Sequence, residues 1–453
     1  MMSKDSARGD RETFASRFGL LMTMIGVAVG LGNVWRFPYM VGRFGGASFV
    51  LLYLVMVCGV GIPALMAEWT LGRHTRKGTL GAFERGGLPG GKFVGLLLVF
   101  VVFCATGYYC NTLGWVAFHA LQQATSLLGL TVNAAAILPP DDGMSPTSLV
   151  LQIVTTSLVI GACGIVLVRG LRRGIERASK FVMPTLLLIL CALIARSVTL
   201  NGASAGLRWY LGDLSLTALN GGVMAAALGQ AVFSLSLGGT FMVVYGSYLG
   251  DAENIPRAAL LTGIGDTAAG LLAGLAIFPA VFALGLQPDS GPSLIFNTLP
   301  ATFQRMPLGG LFGFLFFTGL FGAAFLSAIA ALEVLVAGIV DNSGQTRPKA
   351  VIIVCAIVLL LAVPPMINMR IFFPWDLTFG SGMQTLGTLL AVITAVWCIK
   401  RSEALRQLAG ESPQAFHRIL YWWMRFVIPV AVVLVGTKWL ADVAGWTILG
   451  PPQ

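Results

Sequence analysis

Apolar runs of about twenty residues recur from residue 17 almost to the end of the chain, and they leave the backbone little choice. A segment that crosses the ~30 Å hydrocarbon layer must satisfy its own peptide groups, which a helix does. Helices are therefore expected near 17–40, 45–72, 91–124, 147–168, 178–200, 220–249, 254–286, 308–341, 349–367, 374–400 and 416–446. Charged residues make up only 11% of the chain, less than half of the roughly 25% usual in soluble domains. That balance excludes a soluble multidomain enzyme, a disordered chain and a disulfide-stapled secreted scaffold. The chain reads as an all-α integral membrane protein with about eleven transmembrane helices.

The net charge of +10 is explained by topology. Basic residues cluster in alternate connections: Lys4, Arg8, Arg11 and Arg17; then Arg73, Arg76, Lys77, Arg85 and Lys92; then Arg169, Arg172, Arg173, Arg177 and Lys180. Residues 93–168 between the last two blocks contain no Lys or Arg. The positive-inside rule then places the amino-terminal segment 1–16 in the cytoplasm and, after an odd number of spans, the carboxyl terminus outside. A multi-pass protein of the plasma (inner) membrane is expected, with the lipid bilayer as its surroundings, no nucleic-acid partner and no cleavable signal peptide; the oligomeric state is left open, a functional monomer being sufficient.

Catalytic and metal motifs are weak. All seven cysteines sit in apolar segments without CxxC spacing, and the three histidines are scattered. Gly202-Ala203-Ser204-Ala205-Gly206 matches GxSxG but lies between helices with no strand before it, so it reads as coincidence. Neither a repeated pore filter nor a DDxxD or HExxH pattern is visible. A channel and a membrane enzyme are disfavoured.

Two spans differ from the rest. Gly26, Gly30 and Gly32 interrupt the first just before Asn33, and Ser234-Leu235-Ser236-Leu237-Gly238-Gly239-Thr240 places hydroxyls and paired glycines inside the sixth. Small-residue spacing alone is ordinary helix-packing material. Two such breaks five spans apart suit the corresponding first helices of two repeats, the sequence pattern of a transporter binding site. Unwinding frees N–H and C=O groups that lipid cannot satisfy, so they must line a cavity. Half-helix amino ends attract a carboxylate, while carboxyl ends and bare carbonyls attract a cation.

The residues Ala28-Val29-Gly30-Leu31-Gly32-Asn33-Val34-Trp35-Arg36-Phe37-Pro38-Tyr39 resemble the signature of the neurotransmitter:sodium symporter family. The likeness continues through Gly61-Ile62-Pro63, Glu68-Trp69, Gly174-Ile175-Glu176, Met183-Pro184-Thr185, Gly229-Gln230 and Tyr245-Gly246-Ser247-Tyr248, in order along essentially the whole chain. It is closest in span number to the shorter bacterial amino-acid transporters. The resemblance implies a LeuT-like fold with a 5+5 inverted repeat and broken helices 1 and 6. Residues 17–200 would form the first repeat, 201–219 an extracellular loop, 220–400 the second repeat, and 416–446 an eleventh span.

It further implies a first sodium site from the Ala28 carbonyl, Asn33, Ser234 and Asp266, with the substrate carboxylate as a further ligand. Asp266 stands where many members have Asn, and Gly270 where chloride-independent members often carry an acid. Asp266 is therefore expected to supply the fixed negative charge, with no need for chloride and no organic cofactor. A second sodium site would use Gly26, Val29, Ala323 and Ser327. Leu326 falls where the family usually has Thr or Asp, which leaves that set one ligand short.

Substrate-binding residues implied are Ala28, Gly30, Gly32, Ala105, Tyr109, Phe233, Ser234, Ser236, Gly239, Ala330 and Ala331. Gly30 occupies the position of an acid in monoamine carriers, so the substrate is expected to bring its own carboxylate. The small side-chain subsite suggests a large apolar amino acid, aromatic or branched; the alternative is a smaller or imino acid in a repacked pocket. Arg36 and Asp376, with Gln230, are expected to gate the extracellular side, and Arg11 and Asp341, with Tyr248, the cytoplasmic side. Glu68 and Glu333 either bond unwound backbone or take part in proton movement. The function expected is sodium-coupled symport of a neutral amino acid by alternating access. The alternatives are a proton-coupled or sodium-independent carrier of the same fold, and an amino-acid receptor that does not transport.

Overall fold

The computed structural model describes residues 14–130, 132–215, 220–288, 295–296, 299–304, 307–410 and 414–443. Among these, nine helices are long and apolar enough to cross a membrane, and a bent pair, Arg17–Ala28 with Gly32–Phe44, makes a tenth. The shorter pair Gly221–Ser234 and Phe241–Gly246 falls where the sixth span was expected. The long helices are Ala47–Thr75, Gly91–Ser126, Pro146–Val168, Leu171–Val198, Ile255–Ala283, Gly309–Ser343, Arg347–Ile367, Met369–Cys398 and Ala415–Leu434. Counted with both broken spans, they follow the order expected from the apolar runs.

Position in the bundle follows from which faces are apolar. Helices that are apolar all round have no solvent face to offer, so their outer residues must meet lipid or other helices. Leu158, Phe181, Leu188, Ile352, Leu360 and Ile419 are exposed on the fourth, fifth, ninth and eleventh spans, the surface a bilayer would cover. The first, sixth and eighth spans carry the core, with Met24, Val29, Leu235, Leu237, Ala324 and Leu332 buried. Small residues let these helices touch. A Cβ on Gly107 would lie 2.9 Å from the Ala362 nitrogen, so the third and ninth spans meet backbone to backbone there.

The tenth span starts earlier than its apolar run suggested. A turn at Met369–Trp375, capped by the Asn368 side chain accepting from Ile371 N–H, precedes a widened stretch at Asp376–Gly382. Outside the spans, the short helix Arg401–Ala409 anchors the end of the second span. Its Glu403 accepts from Arg406 and Gln407 and contacts His74 at 3.2 Å. The Arg406 hydrogen bond holds the Glu403 carboxyl down to about 2. A depressed carboxyl loses its contribution only as pH falls through that value, so Glu403 stays ionised across the neutral range.

Candidate functional site

The sixth span breaks where its sequence offers hydroxyls and glycines. Its first half ends at Ser234 and its second begins at Phe241. Between them Ser236 and Gly239 take left-handed backbone, with φ of +50° and +68°. Such a conformation is unfavourable for serine and is held only where surroundings enforce it. Glu68, fully buried in the second span, supplies part of that enforcement. Its Oε1 accepts from the N–H groups of Gly238 at 3.0 Å and Gly239 at 2.9 Å. Of the two roles open to Glu68, the geometry displays the backbone one.

The first span breaks beside it. The helix Arg17–Ala28 stops at extended Val29 and resumes at Gly32 with a 53° bend. Asn33 then bridges three elements. Its Nδ2 donates to Ser234 Oγ at 3.0 Å, to the Asp266 carbonyl at 2.9 Å and to Asp266 Oδ1 at 2.7 Å. Ser234 donates in turn to Asp266 Oδ2 at 2.8 Å and accepts from the Tyr53 hydroxyl at 3.3 Å. Asn33, Ser234 and Asp266 are all fully buried. The cluster brings together the side chains expected of a first cation site, and Tyr53 is an addition that the sequence did not suggest.

Between the two breaks lies a cavity of about 540 Å³, including its part open to solvent. Of the expected substrate residues, Ala28, Gly30, Gly32, Ala105, Tyr109, Phe233, Ser236 and Ala331 line it. Leu31, Thr106, Tyr108, Phe241, Ser327 and Gln384 line it as well. Ser234 belongs instead to the Asn33 cluster, and Ala330 is buried in the core. Gly239 is also not among the lining residues: a Cβ there would meet the Gly387 backbone and the Phe83 ring, at 3.1 Å from the latter. Sequence spacing could have found Thr106, one turn before Tyr109, whereas Gln384 carried only the signal of a carboxamide within an apolar span.

The second expected cation position is different. Leu326 Cδ1 would stand 2.8 Å from a Cβ on Gly26, and Leu326 is buried. The Ser327 hydroxyl donates to the Val29 carbonyl at 3.1 Å and lies 3.4 Å from that of Val27. Ala323 is buried one turn earlier. An apolar carbon thus faces Gly26 where a cation would require oxygen.

The expected gate residues fall into two separate groups. In one, the Arg36 guanidinium lies 4.3 Å above the Phe233 ring, with one nitrogen buried and without a hydrogen-bond partner. Asp376 is close enough to interact electrostatically with Arg36, but among the described residues no ion pair joins them. Gln230 Nε2 donates to the Gly32 carbonyl at 3.0 Å, tying the sixth span to the first. In the other, Asp341 accepts from Gly78 N–H at 2.7 Å. Arg11 lies outside the described residues. Tyr248 donates to Glu333 at 2.6 Å, and Arg347 pairs with the same carboxylate at 2.5 Å. Glu176 holds the start of the first span through Ala15 N–H at 2.9 Å.

Comparison with known proteins agrees with this fold. The sodium:neurotransmitter symporter family model matches residues 11–136 and 134–444. The uncharacterized sodium-dependent transporter YhdH of Bacillus subtilis (strain 168) is 33% identical over 442 residues, which span 93% of this chain and 96% of that protein. The sodium-dependent serotonin transporter of Drosophila melanogaster is 26% identical, over 94% of this chain and 76% of that one. The crystal structure of MhsT in complex with L-phenylalanine superposes with a TM-score of 0.83 at 34% identity, covering 94% of this chain and 99% of that one. The fold is therefore LeuT-like, and these relatives are transporters rather than enzymes. Two broken spans around one cavity, in a chain matched over nearly its full length, have one family behind them: the protein is a multi-pass membrane transporter that belongs to the sodium:neurotransmitter symporter family.

Proposed function

We propose that this protein carries a neutral amino acid with a large apolar or aromatic side chain across the plasma membrane, coupled to sodium and independent of chloride. The observation that carries the reading is the cavity between two helix breaks, whose edge adjoins the Asn33–Ser234–Asp266 oxygen cluster. At the carboxylate end, Tyr109 accepts from Leu31 N–H at 3.3 Å, which leaves its own O–H to donate to a substrate carboxylate. A side chain on Gly30 would collide with the Tyr109 and Ser327 hydroxyls, within 2.8 and 2.5 Å of its Cβ. No acid fits there, so the negative charge arrives with the substrate. The remaining walls combine small Ala105 and Ala331 with the Phe233 and Phe241 rings, which suits a bulky apolar group.

Sodium enters through the same cluster. In the structure the Asn33 amide NH₂ is the positive partner of three oxygens. Turning that carboxamide would present Oδ1 instead, adding to a hard-oxygen set suited to a hard cation. A cation ~4 Å from the substrate carboxylate attracts it by roughly 4 kcal/mol at an effective dielectric of 20. That is about a thousandfold in mutual affinity, enough to couple the two without a long relay.

One sodium ion suffices in this reading, because Leu326 fills part of the second position. Sodium-dependent uptake is expected to show a Hill coefficient near one, and Leu326→Thr to raise it by restoring a hydroxyl. An unaltered coefficient well above one in both proteins would remove the single-ion assignment. A proton-coupled or sodium-independent carrier is favoured only by that same Leu326. Uptake of a labelled amino-acid panel into proteoliposomes, with and without a sodium gradient and in chloride or gluconate, tests the proposal. Accumulation that needs sodium but not chloride is the expected result. Binding without counterflow would instead identify a receptor.

A further inference from the structure

The geometry points to Gln384 as the residue that selects the far end of the substrate, and to an aromatic amino acid with a hydrogen-bonding group on its ring as that substrate. The inference rests on the amino-acid reading above and narrows it. Gln384, in the tenth span, lines the cavity beside the unwound segment of the sixth, with its Cβ 3.4 Å from the point where a Cβ on Gly238 would lie. The hydroxyls around it are already engaged. Thr106 donates to the Val102 carbonyl at 2.6 Å, Ser236 to that of Val27 at 2.9 Å, and Ser327 to that of Val29 at 3.1 Å. Tyr109 accepts from Leu31 N–H, with its own O–H assigned to the substrate carboxylate in the reading above, and the Tyr108 hydroxyl lies with Asp376 against Gly380. Among the described residues, the Gln384 carboxamide is hydrogen-bonded to none.

An open cavity lets water solvate such a group. Alternating access requires that the cavity close around its cargo, and closure removes that water. A carboxamide then closed into a cavity walled in part by Phe241, Ala105 and Ala331 loses its hydrogen bonds unless the substrate replaces them. A ring hydroxyl or an indole N–H does so, since a carboxamide both donates and accepts. An aliphatic chain or an unsubstituted phenyl ring does not. Sites that bury a polar group discriminate against analogues lacking its partner, which makes Gln384 a selector rather than a filler.

The test is a competition series in proteoliposomes under a sodium gradient, with tyrosine, tryptophan, phenylalanine and leucine as probes. The unmodified protein is expected to prefer tyrosine or tryptophan to phenylalanine by roughly tenfold, the worth of one net hydrogen bond. In Gln384→Leu that ratio should collapse toward one. Because the readout is a ratio within each protein, differences in expression do not enter it. A ratio near one in the unmodified protein, or an unchanged preference in Gln384→Leu, overturns the inference while leaving sodium-coupled amino-acid transport standing. If none of the four enters with sodium, the underlying reading fails as well.

Discussion

Replacing Asp266 by asparagine should weaken the apparent sodium affinity of uptake by at least about a hundredfold and make the residual activity depend on chloride. Asp266 is fully buried, and its two oxygens face Asn33 and Ser234 at 2.7 and 2.8 Å. Asparagine has the same shape, and its carbonyl oxygen can keep one of those contacts, so the change removes charge rather than packing. The lost attraction between a cation and a carboxylate ~4 Å away is roughly 4 kcal/mol at an effective dielectric of 20. Repolarisation of the remaining oxygens recovers part of it, which leaves about two to three powers of ten. A halide near the Tyr53 and Ser234 hydroxyls would restore the missing charge, hence the expected response to chloride. Sodium titrations of uptake in chloride and in gluconate, on both proteins, measure the effect. Equal sodium affinities, or an unmodified protein that already requires chloride, would falsify the assignment of the fixed charge to Asp266.

The breaks in the first and sixth spans were legible because they leave a local mark. Gly26, Gly30 and Gly32 before Asn33, and Ser234 to Thr240, depart from helix-forming composition within a few residues. The spans themselves were equally plain, since lipid imposes length and apolarity on each one separately. What stayed hidden depends on which distant atoms meet. Glu68 was visible as an intramembrane acid, but nothing local says that it faces Gly238 and Gly239 N–H. Gly239 illustrates the converse. Its missing side chain suggested room for substrate, yet that side faces the Gly387 backbone, because a left-handed residue redirects its Cβ vector. Tyr53 and Gln384 enter the site from the second and tenth spans, far from either break in sequence. Periodicity places a residue on a helix face without saying which neighbour that face will meet.

Removal of Arg347 should be the most disruptive single change at the end of the molecule opposite Arg36. Glu333 is fully buried in the eighth span and accepts from Arg347 at 2.5 and 3.2 Å and from Tyr248 at 2.6 Å. The same guanidinium donates to the Leu167 carbonyl at 2.7 Å. One side chain at the start of the ninth span thus ties down the eighth span and the end of the fourth, and through Glu333 and Tyr248 the end of the sixth. Arg347→Ala leaves a buried carboxylate without its cation, a change that typically costs about 3–5 kcal/mol. That corresponds to a shift of more than a hundredfold toward states in which this face opens and water reaches Glu333. Glu333→Gln should do less, because the amide can still accept from Tyr248, and the guanidinium left without its anion is 26% exposed to water and keeps the Leu167 carbonyl. Adding Glu333→Gln to Arg347→Ala should then recover much of the loss, a coupling that a double-mutant cycle isolates. A cysteine placed at buried Ser247, beside Tyr248, reports the opening through its labelling rate once the seven native cysteines are replaced. Labelling should accelerate by about two orders of magnitude in Arg347→Ala and fall back in the double variant. If the rate is the same in all of these proteins, the Glu333–Arg347 pair does not hold this face closed, and the closure must reside in contacts such as Gly78 with Asp341.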